Sequence, residues 1–187
     1  MMTTTANRNG VDVARLVQTI EAINGQPSLA LFQFRSHTTW ESGGRSKTTF
    51  QGFFGAGQED TSRTQPLTLI GDEPPVLLGD NIGPNAVEAV LHALASCLSV
   101  GFIYNAAAKG IEMRALEFEL EGDLDLRAFL GLSADVPPGY NGIRVRYRVD
   151  ADASPEELAD LCNYVQRTSP VMDIITRPVP VTVERIS

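Results

Sequence analysis

Gly83-Pro-Asn-Ala-Val-Glu-Ala-Val-Leu-His-Ala-Leu-Ala-Ser-Cys97-Leu-Ser-Val-Gly-Phe-Ile-Tyr104 is the stretch from which the fold is read. Asn85 is a good helix cap, and the negative charge of Glu88 suits the positive end of a helix dipole. From Val87 onward the run is nearly all apolar, and Gly110 ends it. Residues 86–108 approach the ~20 apolar residues that span a bilayer. Glu88, His92, Ser96, Ser99 and Asn105 interrupt them, and Lys109 follows as an isolated charge. The pattern therefore predicts a buried core helix rather than a membrane span. One such helix is hard to cover within a single α+β domain of this length, so the run also predicts pairing with a second copy.

Outward from that helix the pattern changes on both sides. Upstream, residues 1–10 read as disordered. Val13, Leu16, Val17, Ile20 and Ile23 repeat at helical spacing between Asp12 as cap and Gly25 as stop. Leu29–Arg35, Thr38–Glu41 and Lys47–Phe54 are rich in strand formers, with Ser42-Gly-Gly-Arg45 as a turn between them, and predict an antiparallel meander. Gly55–Asp80 reads mainly as loop, with a short strand at Leu67–Ile70 and a breaker at Asp72-Glu-Pro-Pro. Downstream, Met113, Leu116, Phe118 and Leu120 mark a strand, and residues 122–141 a loop. Ile143-Arg-Val-Arg-Tyr-Arg-Val149 alternates, with Arg144, Arg146 and Arg148 outward. That row reads as a solvated face, with a dimer contact or a phosphate site as lesser readings. Ser154-Pro-Glu-Glu carries a capping box and starts a helix to about Arg167. Thr168-Ser-Pro170 breaks it, a short helical turn follows over Val171–Ile175, and Val179–Glu184 predicts a last edge strand.

Composition narrows the function. The chain has 187 residues, a net charge of −8 and 43% hydrophobic residues, which suits one soluble globular domain. The negative charge speaks against nucleic acid or an anionic membrane as partner. Two cysteines make no disulfide scaffold and suit a reducing cytoplasm. The first residues carry no secretory signal pattern. His92 precedes Cys97 by five residues, about 140° around the helix, but the two histidines are distant from each other, as are the two cysteines, and show no metal-ligand spacing, so no metal site is expected. The glycines match no phosphate-binding or dinucleotide fingerprint, and no cofactor is expected.

Two sets of residues together resemble the OsmC/Ohr family. The first is Gly83-Pro-Asn with its helix ending in Ala93-Leu-Ala-Ser-Cys97, then Ala107-Ala-Lys-Gly-Ile111. The second is the Ser154-Pro-Glu-Glu-Leu helix leading to Thr168-Ser-Pro-Val-Met-Asp173. The resemblance covers roughly residues 38–186. It implies an α+β fold in which antiparallel sheets wrap long central helices in an intertwined homodimer. Residues 1–27 then form an N-terminal tail and extra helix, and residues 28–187 a single domain of this type. It also implies a thiol peroxidase, in which one Cys attacks an organic hydroperoxide or hydrogen peroxide, a second resolves the sulfenic acid, and an Arg and a Glu activate the first.

Carried over residue by residue, Cys97 takes the attacking place and Arg45, in Gly43-Gly-Arg-Ser, the activating one. Ser169 stands where the resolving Cys would be. The helix Glu is expected ten residues before the attacking Cys, where Val87 stands. Glu88 comes one residue later, about 100° around the helix. These departures leave two readings. One is a one-cysteine peroxidase with Cys97, Arg45, Glu88 and Ser169 as its site, using a thiol reductant or Cys162. The other is a non-peroxidase of the same fold that binds a small apolar ligand at the dimer interface. From the residues alone, Cys97 also reads as a buried small hydrophobe, a common fate for a free cysteine. A purely structural dimer module would leave no pocket beside it.

Overall fold

Asn9-Gly10 shapes the first part of the chain that the computed structural model describes, which is residues 7–186. Both residues have positive φ, 54° and 79°, as a type I′ hairpin turn requires. They join two short strands, β1 (Asn7–Arg8) and β2 (Val11–Asp12). Disorder, expected over residues 1–10, is therefore wrong for residues 7–10; the remainder of that stretch lies outside the described residues.

The described chain divides into two compact units, residues 12–90, and residues 91–186 with residues 7–11. In the first, α1 (Val13–Gly25) starts where expected, the Asp12 carboxylate accepting the Arg15 N–H at 3.0 Å. Leu29–Arg35 does not form the expected strand. Pro27, preset for the first turn of a helix, opens a 3-10 turn over Pro27–Ala30, and only an isolated bridge from Gln33 to Phe54 follows. Phe32 and Phe34, two residues apart, stack on each other and against Phe53, with ring centroids 5.4–6.4 Å apart.

The rest of the expected meander forms in part. Thr38–Glu41 lies in β3 (His37–Ser42), and Lys47–Phe54 is split between β4 (Arg45–Phe50) and β5 (Phe53–Gly55); β6 (Gln58–Asp60) arises in the stretch read as loop, and β7 (Leu67–Gly71) is the short strand expected there. They make an antiparallel sheet in the order β3-β4-β7 and a separate β5-β6 hairpin. Among the described residues of this unit no apolar side chain is fully buried.

The long helix α2 (Ala86–Lys109) crosses the boundary between the units. It is long and apolar enough to cross a membrane by length and composition. In the second unit its stripe Leu94, Leu98, Phe102 and Ala106, spaced four apart, forms the core with Ile111, Leu161 and Val165. The expectation of a core helix holds on that stripe and at Ala107, 2% exposed, but not all round: Val100 and Tyr104 are about half exposed, at 52% and 49%. Against the stripe lies a long hairpin, β8 (Met113–Leu124) and β9 (Tyr140–Ala151). Its inward Leu116, Phe118, Leu120, Ile143 and Val145 pack on the core, and the Phe102 and Phe118 rings meet edge-on at 5.9 Å.

The capping box at Ser154 forms as expected and starts α3 (Pro155–Thr168), and α4 (Pro170–Thr176) follows directly. The edge strand expected at Val179–Glu184 is not formed. The described residues after α4 make no ladder, and Val181 and Val183 are 78% and 90% exposed. Alternation gives this segment a strand's form, but the described chain holds no edge that pairs with it.

Candidate functional site

Two of the residues selected from the sequence meet in the second unit. Cys97, a free and partly buried thiol, sits on α2 beside the buried Leu98. Ser169 occupies the single residue between α3 and α4 because Pro170 cannot continue α3 and instead opens α4. Ser169 caps α4, its hydroxyl oxygen accepting the Met172 N–H at 3.2 Å. Its O–H donates to Cys97 Sγ at 3.1 Å. The residue is only 5% exposed. A hydroxyl has one hydrogen and two lone pairs, so an oxygen that accepts from the Met172 N–H still has its hydrogen to give to the sulfur.

Arg45 and Glu88 belong to the first unit, and each has a partner there. The Arg45 guanidinium pairs with Asp80 at 2.5 Å, while its Nε is buried without a hydrogen bond. Glu88 closes a capping box at the start of α2: its carboxylate accepts the Asn85 N–H at 2.9 Å, and Asn85 Oδ1 accepts the Glu88 N–H at 2.8 Å.

The sequence reading passed over two acidic residues. Asp80 is the carboxylate paired with Arg45. Asp72, 3% exposed, accepts the N–H groups of Glu73, Asp80 and Ile82 at 2.9–3.2 Å and so closes the loop that presents Asp80. Burial pushes the Asp72 carboxyl upward; the three N–H donors and the charge of Arg45 outweigh it and leave the carboxyl below its ordinary range. An Asp in front of Glu-Pro-Pro was the available signal, since Asx side chains commonly bond the backbone just beyond them.

Cys162 lines a separate cavity of about 90 Å³ with Leu98, Phe102, Phe118, Tyr147 and Met172. Gln166 Nε2 donates to its sulfur at 3.2 Å. The hydrogen bond with Cys162, then burial, then the negative charge of the Cys162 thiolate push the Tyr147 phenol up to about 12. His92 approaches Ser96 Oγ at 3.5 Å on the exposed side of α2, and His37 is exposed on β3. Among the described residues no group of His, Cys, Asp and Glu could hold a metal ion.

The arginine row finds its acids on the neighbouring strand. Glu117, Glu119 and Glu121 stand opposite Arg148, Arg146 and Arg144 in register. Arg144 binds Glu121 at 2.9 Å and Asp123 at 2.6 Å, and Arg148 binds Glu119 at 2.7 Å. These side chains are roughly half to two-thirds exposed, so the ladder is a solvated face in which each pair adds little stability.

Antiparallel sheets with helices, and a half-buried thiol on the longest helix, define an α+β protein with a protected thiol site. The family model described as OsmC-like protein matches residues 79–184, more than half of the chain, and the chain belongs to that family. Solved structures agree on the fold. An OsmC-like protein from Mycoplasma pneumoniae is 16% identical over 77% of this chain and 87% of its own, with a TM-score of 0.58. An OsmC-like protein of unknown function from Vibrio cholerae is 11% identical over 75% and 92%, with a TM-score of 0.57. The organic hydroperoxide resistance protein OsmC from Legionella pneumophila is 16% identical over 78% and 90%, with a TM-score of 0.51. At such identities the likeness is one of fold. No curated protein matches the chain by sequence.

Proposed function

We propose that this protein is a one-cysteine thiol peroxidase that reduces organic hydroperoxides or hydrogen peroxide through Cys97. The observation that carries the reading is the Ser169 hydroxyl at 3.1 Å from the Cys97 sulfur, a polar partner that a merely packed cysteine does not need. Family membership supports it, as does the hydroperoxide resistance for which the Legionella relative is named.

The thiolate attacks one peroxide oxygen. An S–O bond forms, the O–O bond breaks, and the alkoxide leaves with a solvent proton as the alcohol. Cys97 is then a sulfenic acid. Ser169 cannot resolve it as a disulfide. An external thiol therefore condenses with it, releasing water, and a second thiol frees Cys97 and leaves as the oxidised pair. This cycle calls for a reducing compartment such as the cytoplasm and needs no cofactor. Arg45 is the cation proposed to favour the thiolate. We place the working protein as a homodimer.

Two observations favour the second reading, a non-peroxidase of this fold binding a small apolar ligand at the dimer interface: Glu88 is taken up by the capping box, and Arg45 by Asp80. Brief treatment with cumene hydroperoxide in the presence of a sulfenic-acid trap, followed by peptide mapping, separates the two. The peroxidase reading expects an adduct on Cys97 and loss of hydroperoxide consumption in Cys97→Ser. Unmodified Cys97 would leave the binding reading in its place.

A further inference from the structure

We infer that Ser169 is the hydrogen-bond donor that holds Cys97 as a reactive thiolate, so that the residue at the resolving position has a catalytic part of its own. The inference rests on the peroxidase reading for its purpose, but its test does not use peroxide.

A thiol reacts as thiolate, and apolar surroundings disfavour the charged form. On α2 the residues three and four positions from Cys97 are Ala93, Leu94, Val100 and Gly101, none with a charge or a side-chain donor. Stabilisation has to come from another element, and the loop between α3 and α4 supplies it. Three features fix the Ser169 proton toward the sulfur. The Met172 N–H fills a lone pair of the hydroxyl oxygen. Pro170 and the end of α3 fix the backbone on either side. At 5% exposure, solvent hardly competes for the proton. The donor is thus aimed before the charge appears, which is the preorganised arrangement that makes electrostatic stabilisation effective.

The residue type decides the sign of the effect. A hydrogen bond to an ionised acceptor is roughly twice as strong as one between neutral groups, so a fixed O–H favours thiolate over thiol. A cysteine here would offer only the weak S–H donor. The serine therefore exchanges a disulfide partner for a better anion donor. During turnover Ser169 keeps its proton: the leaving alkoxide is protonated by solvent, and the O–H stays available to the sulfenic acid that replaces the thiolate.

The test is the pH profile of Cys97 alkylation by iodoacetamide, read by peptide mass with Cys162 as internal reference, in Ser169→Ala and Ser169→Gly. Glycine keeps most of the helix-start stability that alanine loses, so the pair separates the hydroxyl from the cap. Both variants should alkylate Cys97 several-fold more slowly at neutral pH, with the profile moved toward alkaline pH and Cys162 unchanged. Unaltered rates in both variants overturn the inference. So does slowing in Ser169→Ala alone, which would trace the effect to the helix start, or a parallel change at Cys162, which would mean general loosening. Wild-type Cys97 that alkylates as expected yet ignores peroxide would sink the peroxidase reading and leave this one standing.

Discussion

A sulfur placed where the Ser169 hydroxyl now stands would lie about 1 Å beyond disulfide bonding distance of Cys97, since the two atoms meet at 3.1 Å and an S–S bond is about 2 Å long. Ser169→Cys should therefore convert the site to two-cysteine chemistry. One equivalent of hydroperoxide is expected to give a protein lighter by two hydrogens, with Cys97 linked to the introduced thiol and Cys162 free. Persistence of all thiols after peroxide would show that the α3–α4 loop cannot bring the sulfurs into line. Neither residue points to the other in the sequence. Cys97 stands out on its apolar helix, but Ser169 is 72 positions away and was joined to it only through the family resemblance. Glu88 shows the opposite case. Asn85-Ala-Val-Glu88 has the spacing of a capping box, and that local signal is realised in the fold.

At the scale of elements, the contact between α2 and α3 is set by the lack of a side chain at Gly101. A Cβ there would meet Val165 Cγ1 at 2.8 Å, and Val165, 1% exposed, has nowhere to go. Gly101→Ala gains about 1 kcal/mol of helix propensity but overpacks the contact, which costs about 1–3 kcal/mol. The second effect should win, with a net loss of about 1 kcal/mol in urea unfolding; a more stable variant would mean that α3 shifts freely.

The cavity beneath makes a separate prediction. The Tyr147 phenol, pushed up to about 12 by its hydrogen bond with Cys162, then by burial and by the thiolate's negative charge, favours its neutral form in the fold. Its contribution to stability is whole below the ordinary tyrosine value of about 10 and fades as pH rises through the raised one. The difference in phenolate absorbance between wild type and Tyr147→Phe should therefore appear late in alkali. It should move earlier in Cys162→Ala; an unchanged curve would remove Cys162 as the cause. The legible elements were those with local signals: the Asp12 and Ser154 caps, the α2 boundaries, and the period-two alternation of β9. Leu29–Arg35 and Val179–Glu184 were misread because richness in strand formers reports a side chain's preference and not whether an edge exists to pair with it.

At the scale of the molecule, the burial pattern asks for a second copy. Among the described residues the fully buried apolar side chains all lie on α2, α3 and the residue just after Gly110, and none lies in residues 12–90. A sheet of three strands normally buries one face to be stable. The exposed side of α2 adds Val100 and Tyr104, and the segment after α4 adds Val181, Val183 and Ile186, the last 92% exposed. Exposed apolar side chains in this number mark an interface when they lie together, and net charge away from zero does not supply the missing core. Multi-angle light scattering should give twice the chain mass at micromolar concentration. Val100→Glu, which sets a charge on the exposed side of α2 without touching the Leu94–Leu98–Phe102 stripe, should shift that mass toward the single chain and lower thermal stability as it does so. A wild-type mass equal to one chain would leave residues 12–90 folded without a buried apolar side chain, and the homodimer would have to be abandoned.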